Sequence, residues 1–147
     1  MTGWRIGWLE CPRALVQTAE NLIQYSSSGV PTFLQRGAIA AIDHGTSFVD
    51  HQIQRARKGL EITTQAFSNL SNIEFMTPEG AFYLYFKIST SRSSMDIAKD
   101  LIDRANVGLA PGTAFSKSTD AWLRLCFLRK EDDLHEAMNR LTKALSA

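Results

Sequence analysis

The chain has 147 residues, 44% hydrophobic and 21% charged, with a net charge of +1 at neutral pH. That is enough apolar side chain for a core, and too even a charge balance for a disordered chain or for a footprint on nucleic acid or anionic membrane. No apolar run is long enough to span a bilayer, the first residues lack a signal-peptide layout, and Cys11 and Cys126 stand far apart with no CxxC; free thiols in a reducing, cytoplasmic compartment are the expectation.

In chain order, Arg5-Ile6-Gly7-Trp8-Leu9 predicts a short buried strand stopping at Cys11-Pro12. Leu15, Ala19, Leu22 and Ile23 have helical spacing over Arg13 to Tyr25, and Ser26-Ser27-Ser28-Gly29 breaks that helix. Pro31 suits the first turn of a second helix through Phe33, Leu34, Ala38 and Ile42, ended by His44-Gly45. Ser47-x-x-Asp50 has the form of a capping box, and Val49, Ile53, Ala56, Leu60, Phe67 and Leu70 follow as one apolar stripe, so a long amphipathic helix starts there.

Ile73 to Met76 predicts a strand, Thr77-Pro78-Glu79-Gly80 a turn, and Ala81 to Ile88 a second strand paired with the first. Ser93-x-x-Asp96 opens a helix with the stripe Ile97, Leu101 and Ala105. Val107 to Ala110 predicts a short strand leading into Pro111-Gly112-Thr113, and Trp122 to Phe127 another. Glu131, Asp132 and Asp133 favour the positive end of a last helix, whose stripe is Leu134, Met138, Leu141 and Leu145. The second half therefore predicts an α/β sandwich, a small sheet covered by helices. One strand and two helices in the first half would struggle to close a core alone.

Two arginines interrupt apolar strand patterns. Arg5 lies within Gly3-Trp4-Arg5-Ile6-Gly7-Trp8, and a buried guanidinium left unpaired costs on the order of 3–5 kcal/mol. Its planar fork suits phosphate or carboxylate, but spacing alone favours a structural salt bridge. Arg124 shares a strand face with Trp122 and Cys126; it faces an anion or solvent, and spacing alone favours solvent. The loop Ala110 to Phe115 follows a strand, where sites often sit, yet a simple turn reads equally well. Phe82, Tyr83, Tyr85 and Phe86 read as core and domain contact rather than a stacking platform. His44, His51 and His135 have no metal-ligand spacing, and no nucleotide-binding glycine motif, P-loop or nucleophile elbow is present.

Taken in order, three motifs resemble a known series. Met1-Thr2-Gly3-Trp4-Arg5-Ile6-Gly7-Trp8, Pro78-Glu79-Gly80-Ala81-Phe82-Tyr83, and Pro111-Gly112-Thr113-Ala114-Phe115 followed by Leu123-Arg124-Leu125 resemble the fold-type-I, pyridoxal-phosphate (PLP) dependent aminotransferases of class I/II, of the aspartate-aminotransferase-like kind. The resemblance implies the C-terminal small domain of such a transferase, an α/β sandwich, plus a remnant of its large domain. The remnant would be residues 1–45, and the interdomain helix and small domain residues 46–147. It implies PLP as cofactor, transamination between an amino acid and a 2-oxo acid, and a homodimer or oligomer, with no nucleic-acid or membrane partner.

Residue by residue, Arg5 matches the arginine that holds the PLP phosphate, and Arg124 the one that binds the substrate α-carboxylate by a bidentate pair. Gly80 and Phe82 would lie on a strand near the substrate side. The catalytic lysine that joins PLP covalently would precede Met1, so this chain alone is expected to be inactive, and Lys117 reads as a surface lysine. The segment after Phe115, glycine-bearing in the family, here reads Ser116-Lys117-Ser118-Thr119. A catalytically dead binding module and one half of a split enzyme are the competing readings.

Overall fold

Residues 83–88 and 122–126 alternate between buried side chains and partly buried or exposed ones, and that alternation organises the larger part of the molecule. In the computed structural model, which describes residues 2–146, a four-stranded antiparallel sheet runs in the order β1-β2-β4-β3. The strands are β1 Ile73–Phe75, β2 Tyr83–Ile88, β3 Ala110–Pro111 and β4 Trp122–Cys126. Leu84, Phe86 and Ile88 of β2 and Leu123 and Leu125 of β4 form one buried face. Against it pack Ile62 and Phe67 of α3 (Thr46–Phe67), Ile97, Ala98 and Leu101 of α4 (Ser94–Ala105), and Leu134, Met138 and Leu141 of α5 (Glu131–Leu145). This is the two-layer α/β sandwich that the patterning predicts. Each fully buried Phe or Leu contributes roughly 1.5–3 kcal/mol relative to exposure. Phe67 anchors the layer contact, its ring 4.8 Å from that of Phe86.

Two local devices permit this packing. Gly59 of α3 meets the chain after β4 so closely that an added Cβ would lie 2.1 Å from the carbonyl oxygen of Phe127. Ser93 caps α4, its side chain accepting the Asp96 N–H at 3.1 Å, and Asn106 closes the helix in a left-handed conformation at φ 52°.

The chain divides into two compact units, Met1–Asp50 and His51–Ala147, the boundary falling within α3. The first unit holds α1 (Val16–Ser27) and α2 (Thr32–His44), neither of which has a buried residue. Ser28 and Gly29 turn the chain between them at φ 57° and 92°. The Trp4 ring lies against Gly37, where a Cβ would stand 2.6 Å from Cζ3.

Several expectations are corrected. Arg5 to Leu9 forms no strand: the segment is irregular after a 3-10 turn at Thr2–Trp4, with Trp8 80% and Leu9 72% exposed. A strand needs a hydrogen-bonded neighbour, and the described residues of this unit offer none. Met1, the first residue of that motif, lies outside the described residues. The Ser47–Asp50 capping box does not form either. Gly45 keeps helical dihedrals and accepts the Val49 N–H, so the helix starts at Thr46 and Ser47 is already inside it. The strand expected from Val107 to Ala110 shrinks to Ala110–Pro111. Gly80 and Phe82 precede β2 rather than lying on it, and the left-handed residue of that turn is Ala81, at φ 59°.

Candidate functional site

Alternation turns Trp122, Arg124 and Cys126 of β4 and Tyr83, Tyr85 and Lys87 of β2 to the face opposite the helices. Arg124 is half-buried there, paired through the backbone with Tyr85 on one side and Ala110 on the other. Its Cζ lies over two aromatic rings, 4.2 Å from the centroid of Tyr83 and 4.2 Å from that of Phe115. Among the described residues its side chain makes no hydrogen bond and no ion pair, and its Nε is buried without an acceptor. A buried donor left unsatisfied costs about 1–3 kcal/mol. The Tyr85 hydroxyl is likewise buried without a partner, and its ring stacks on Trp122 at 5.0 Å. Of the four aromatics read as core and domain contact, only Phe86 is fully buried; Tyr83 and Tyr85 line the open face.

Phe115 reaches Arg124 because the loop after β3 is held from several directions. Gly112 is buried in a 3-10 turn where an added Cβ would lie 2.2 Å from the Thr119 carbonyl oxygen. Its own carbonyl accepts the Phe115 N–H at 2.8 Å and the Thr119 hydroxyl at 2.8 Å. Ser94 Oγ and Thr113 Oγ1 meet at 3.1 Å, and Ser94 N–H donates to Asp120 Oδ1 at 2.7 Å. That backbone N–H is the main reason the Asp120 carboxyl titrates below the ordinary range, aided by the Ala121 N–H and opposed by desolvation. The hydroxyl-rich segment after Phe115 is braced internally: Thr119 also donates to Ser116 O at 2.7 Å, and Ser116 Oγ meets Ser118 Oγ at 2.9 Å.

Arg5 occupies a left-handed backbone position at φ 49°, in the first unit. It is exposed, not buried as the apolar pattern predicts, and it makes no ion pair among the described residues. The salt bridge that spacing favours is therefore absent there, and the guanidinium is free for an external anion. This fits the phosphate end of a cofactor such as PLP.

A cavity of about 590 Å³ lies elsewhere in the second unit, between α5 and the loop after α4, with Arg55, Leu109, Cys126, Arg129 and Met138 in its wall. Neither Arg124 nor its two rings line it. The described residues contain no group of three or more His, Cys, Asp or Glu that could hold a metal, and no helix long and apolar enough to cross a membrane.

The sequence profile described as "Aminotransferase class I and II" matches residues 1–141. An aspartate aminotransferase of Pyrococcus horikoshii is 32% identical over 148 residues, covering 99% of this chain and 38% of the relative. A probable N-acetyl-LL-diaminopimelate aminotransferase of Bacillus subtilis is 33% identical, covering 96% of this chain and 36% of the relative. The solved aromatic aminotransferase of Pyrococcus horikoshii superimposes with a TM-score of 0.91 at 25% identity, over 99% of this chain and 40% of that one. The chain thus spans 38% of the length of the first of these relatives.

Proposed function

The chain belongs to the aminotransferases of class I and II, and on that premise we propose that it is the C-terminal part of a PLP-dependent enzyme that moves an amino group between an amino acid and a 2-oxo acid. In this reading residues 1–45 are a remnant of the cofactor-binding large domain, and residues 46–147 the interdomain helix and small domain. Arg124 binds the α-carboxylate of either substrate and Arg5 the cofactor phosphate. When bound, PLP supplies an electron sink for the substrate Cα.

The observation that carries this reading is the unpartnered guanidinium of Arg124 on the open sheet face. Two parallel N–H···O bonds from that fork orient a carboxylate as well as attract it, which an ammonium cannot do. Arg5 adds a charge-assisted contact to phosphate oxygens. Lys58, Lys87 and Lys117 are not placed to serve as the covalent lysine. Lys58 is held by Glu61 at 3.0 Å, which raises its pKa and keeps it charged. Lys87 faces Glu74 across the β1–β2 ladder, and Lys117 is exposed on the loop after Phe115. Placement of a reacting group supplies on the order of 7–11 kcal/mol of a barrier, and these lysines lack it.

Two measurements test the proposal. Incubation with PLP and an amino acid, then borohydride reduction and peptide mapping, should give neither 2-oxo acid nor a stoichiometric pyridoxyl-lysine. One stoichiometric adduct accompanied by turnover overturns the assignment of the lysine. In a longer version that turns over, Arg124→Ala should lose roughly 2–4 kcal/mol in kcat/KM, and Arg124→Lys should recover little of it. Unchanged kinetics in both variants removes Arg124 from the site.

A further inference from the structure

The surroundings of Arg124 are more specific than a carboxylate clamp requires. A free arginine side chain surrenders much rotamer entropy when its ligand arrives. Here the guanidinium already rests over one ring from β2 and one from the loop after β3, at 4.2 Å from each centroid. The two rings are supported separately. Tyr83 is fixed by its place in the sheet, opposite Cys126, and its ring lies 4.6 Å from that of Phe82. Phe115 stands edge-on to Tyr85 at 6.3 Å, and Tyr85 is stacked on Trp122. Polar neighbours play no part in holding the guanidinium, since the Arg124 side chain has no hydrogen bond or ion pair among the described residues.

We infer that Tyr83 and Phe115 are positioning residues that set the orientation of the Arg124 fork before any anion binds. The inference rests on the reading of Arg124 as a carboxylate clamp and deepens it. Cation–π attraction is strong enough to bias the rotamer yet weak enough to leave the N–H groups available. The contact is with the ring of Tyr83, so its hydroxyl is dispensable. Phe115 is 50% exposed, so its hold on Arg124 comes from ring contact rather than from core packing.

The test uses the whole chain labelled with ¹⁵N and reads the Nε–Hε signal of Arg124, identified by its loss in Arg124→Lys. Ring currents should displace that signal from the other arginines. Tyr83→Ala and Phe115→Ala should each move it back towards them, while Tyr83→Phe leaves it in place. Titration with 3-phenylpropionate should shift the same signal, with affinity falling about tenfold in each alanine variant and recovering in Tyr83→Phe. Backbone amide spectra confirm that each variant is folded. An undisplaced signal in the parent chain, or one that neither alanine variant moves, overturns the inference. A displaced signal that responds to both alanine variants but not to 3-phenylpropionate upholds the ring clamp and overturns the carboxylate reading.

Discussion

Asp120 Oδ1 accepts the backbone N–H of Ser94 at 2.7 Å, joining the loop before β4 to the first turn of α4 across 26 residues. The bond favours the ionised carboxylate and holds its pKa below the ordinary range. A depressed folded-state pKa contributes stability that is complete above the unfolded value and lost as pH falls through the folded one. The melting temperature of Asp120→Ala should therefore lie below that of the parent at neutral pH, and the two should converge in strong acid below the ordinary carboxylate range. Asp120→Asn, which keeps an acceptor without the charge, should fall between them. A gap that stays constant down to the lowest pH would show that the carboxylate charge is irrelevant.

Gly112 is required by space rather than by conformation. Its Cβ would meet Thr119 O at 2.2 Å and both Trp122 Cβ and Trp122 O at 2.8 Å, backbone atoms and a fixed Cβ that cannot swing aside. Gly112→Ala should cost about 1–3 kcal/mol in urea unfolding, the usual range for overpacking, and should also displace Phe115 from Arg124. A loss under about 0.5 kcal/mol, within the range of ordinary surface substitutions, would mean that the loop relaxes freely.

Ala81 presents the opposite case. It sits at φ 59° on the exposed turn before β2, a conformation that costs an L-residue roughly 1–2 kcal/mol. Glycine removes that strain but gains about 0.4–1 kcal/mol of unfolded-state entropy. Ala81→Gly should raise the urea midpoint, the unfolding free energy gaining a net of up to about 1.5 kcal/mol. A lowered midpoint would show that the Ala81 methyl packs against something worth more than the strain.

The first unit leaves large apolar side chains in water: Tyr25 is 89%, Phe33 70% and Ile42 62% exposed. Exposed apolar surface of this kind promotes association. The molar mass from light scattering should rise with concentration across the micromolar to millimolar range, and Phe33→Ser with Ile42→Ser should reduce the rise. A constant monomer mass over that range would count against this expectation.

Arg124 is visible in the linear pattern as the charged member of an alternating strand, but that pattern alone favours solvent, and it is the resemblance to the aminotransferases that makes it a candidate. The partners of that arginine are not visible there. Tyr83 reads as core from composition, and Phe115 reads as a residue of a simple turn. Their convergence on one guanidinium depends on the β2–β4 register and on a loop held by Gly112, Ser94 and Asp120. Arg5 shows the converse. Its aromatic and apolar neighbours signal a buried strand, but a strand is completed only by another strand, and none stands beside it among the described residues of its unit.

What the sequence determined by itself is whatever depends on neighbours within a turn or two. The apolar stripes of α4 and α5 bury the residues the periodicity selects, except that Leu145 at the end of α5 is only partly buried, and Ser93 caps α4 through Asp96 as its spacing predicts. The same logic misplaced the start of α3, because helical dihedrals at Gly45 carried the helix past the capping position expected at Ser47. Tertiary structure alone decided which side chains surround Arg124, that its Nε lacks an acceptor, and that Gly112 and Gly59 are positions of forced approach. These features arise from contacts between residues far apart in the chain, fixed by sheet register and close packing, and no local period encodes them.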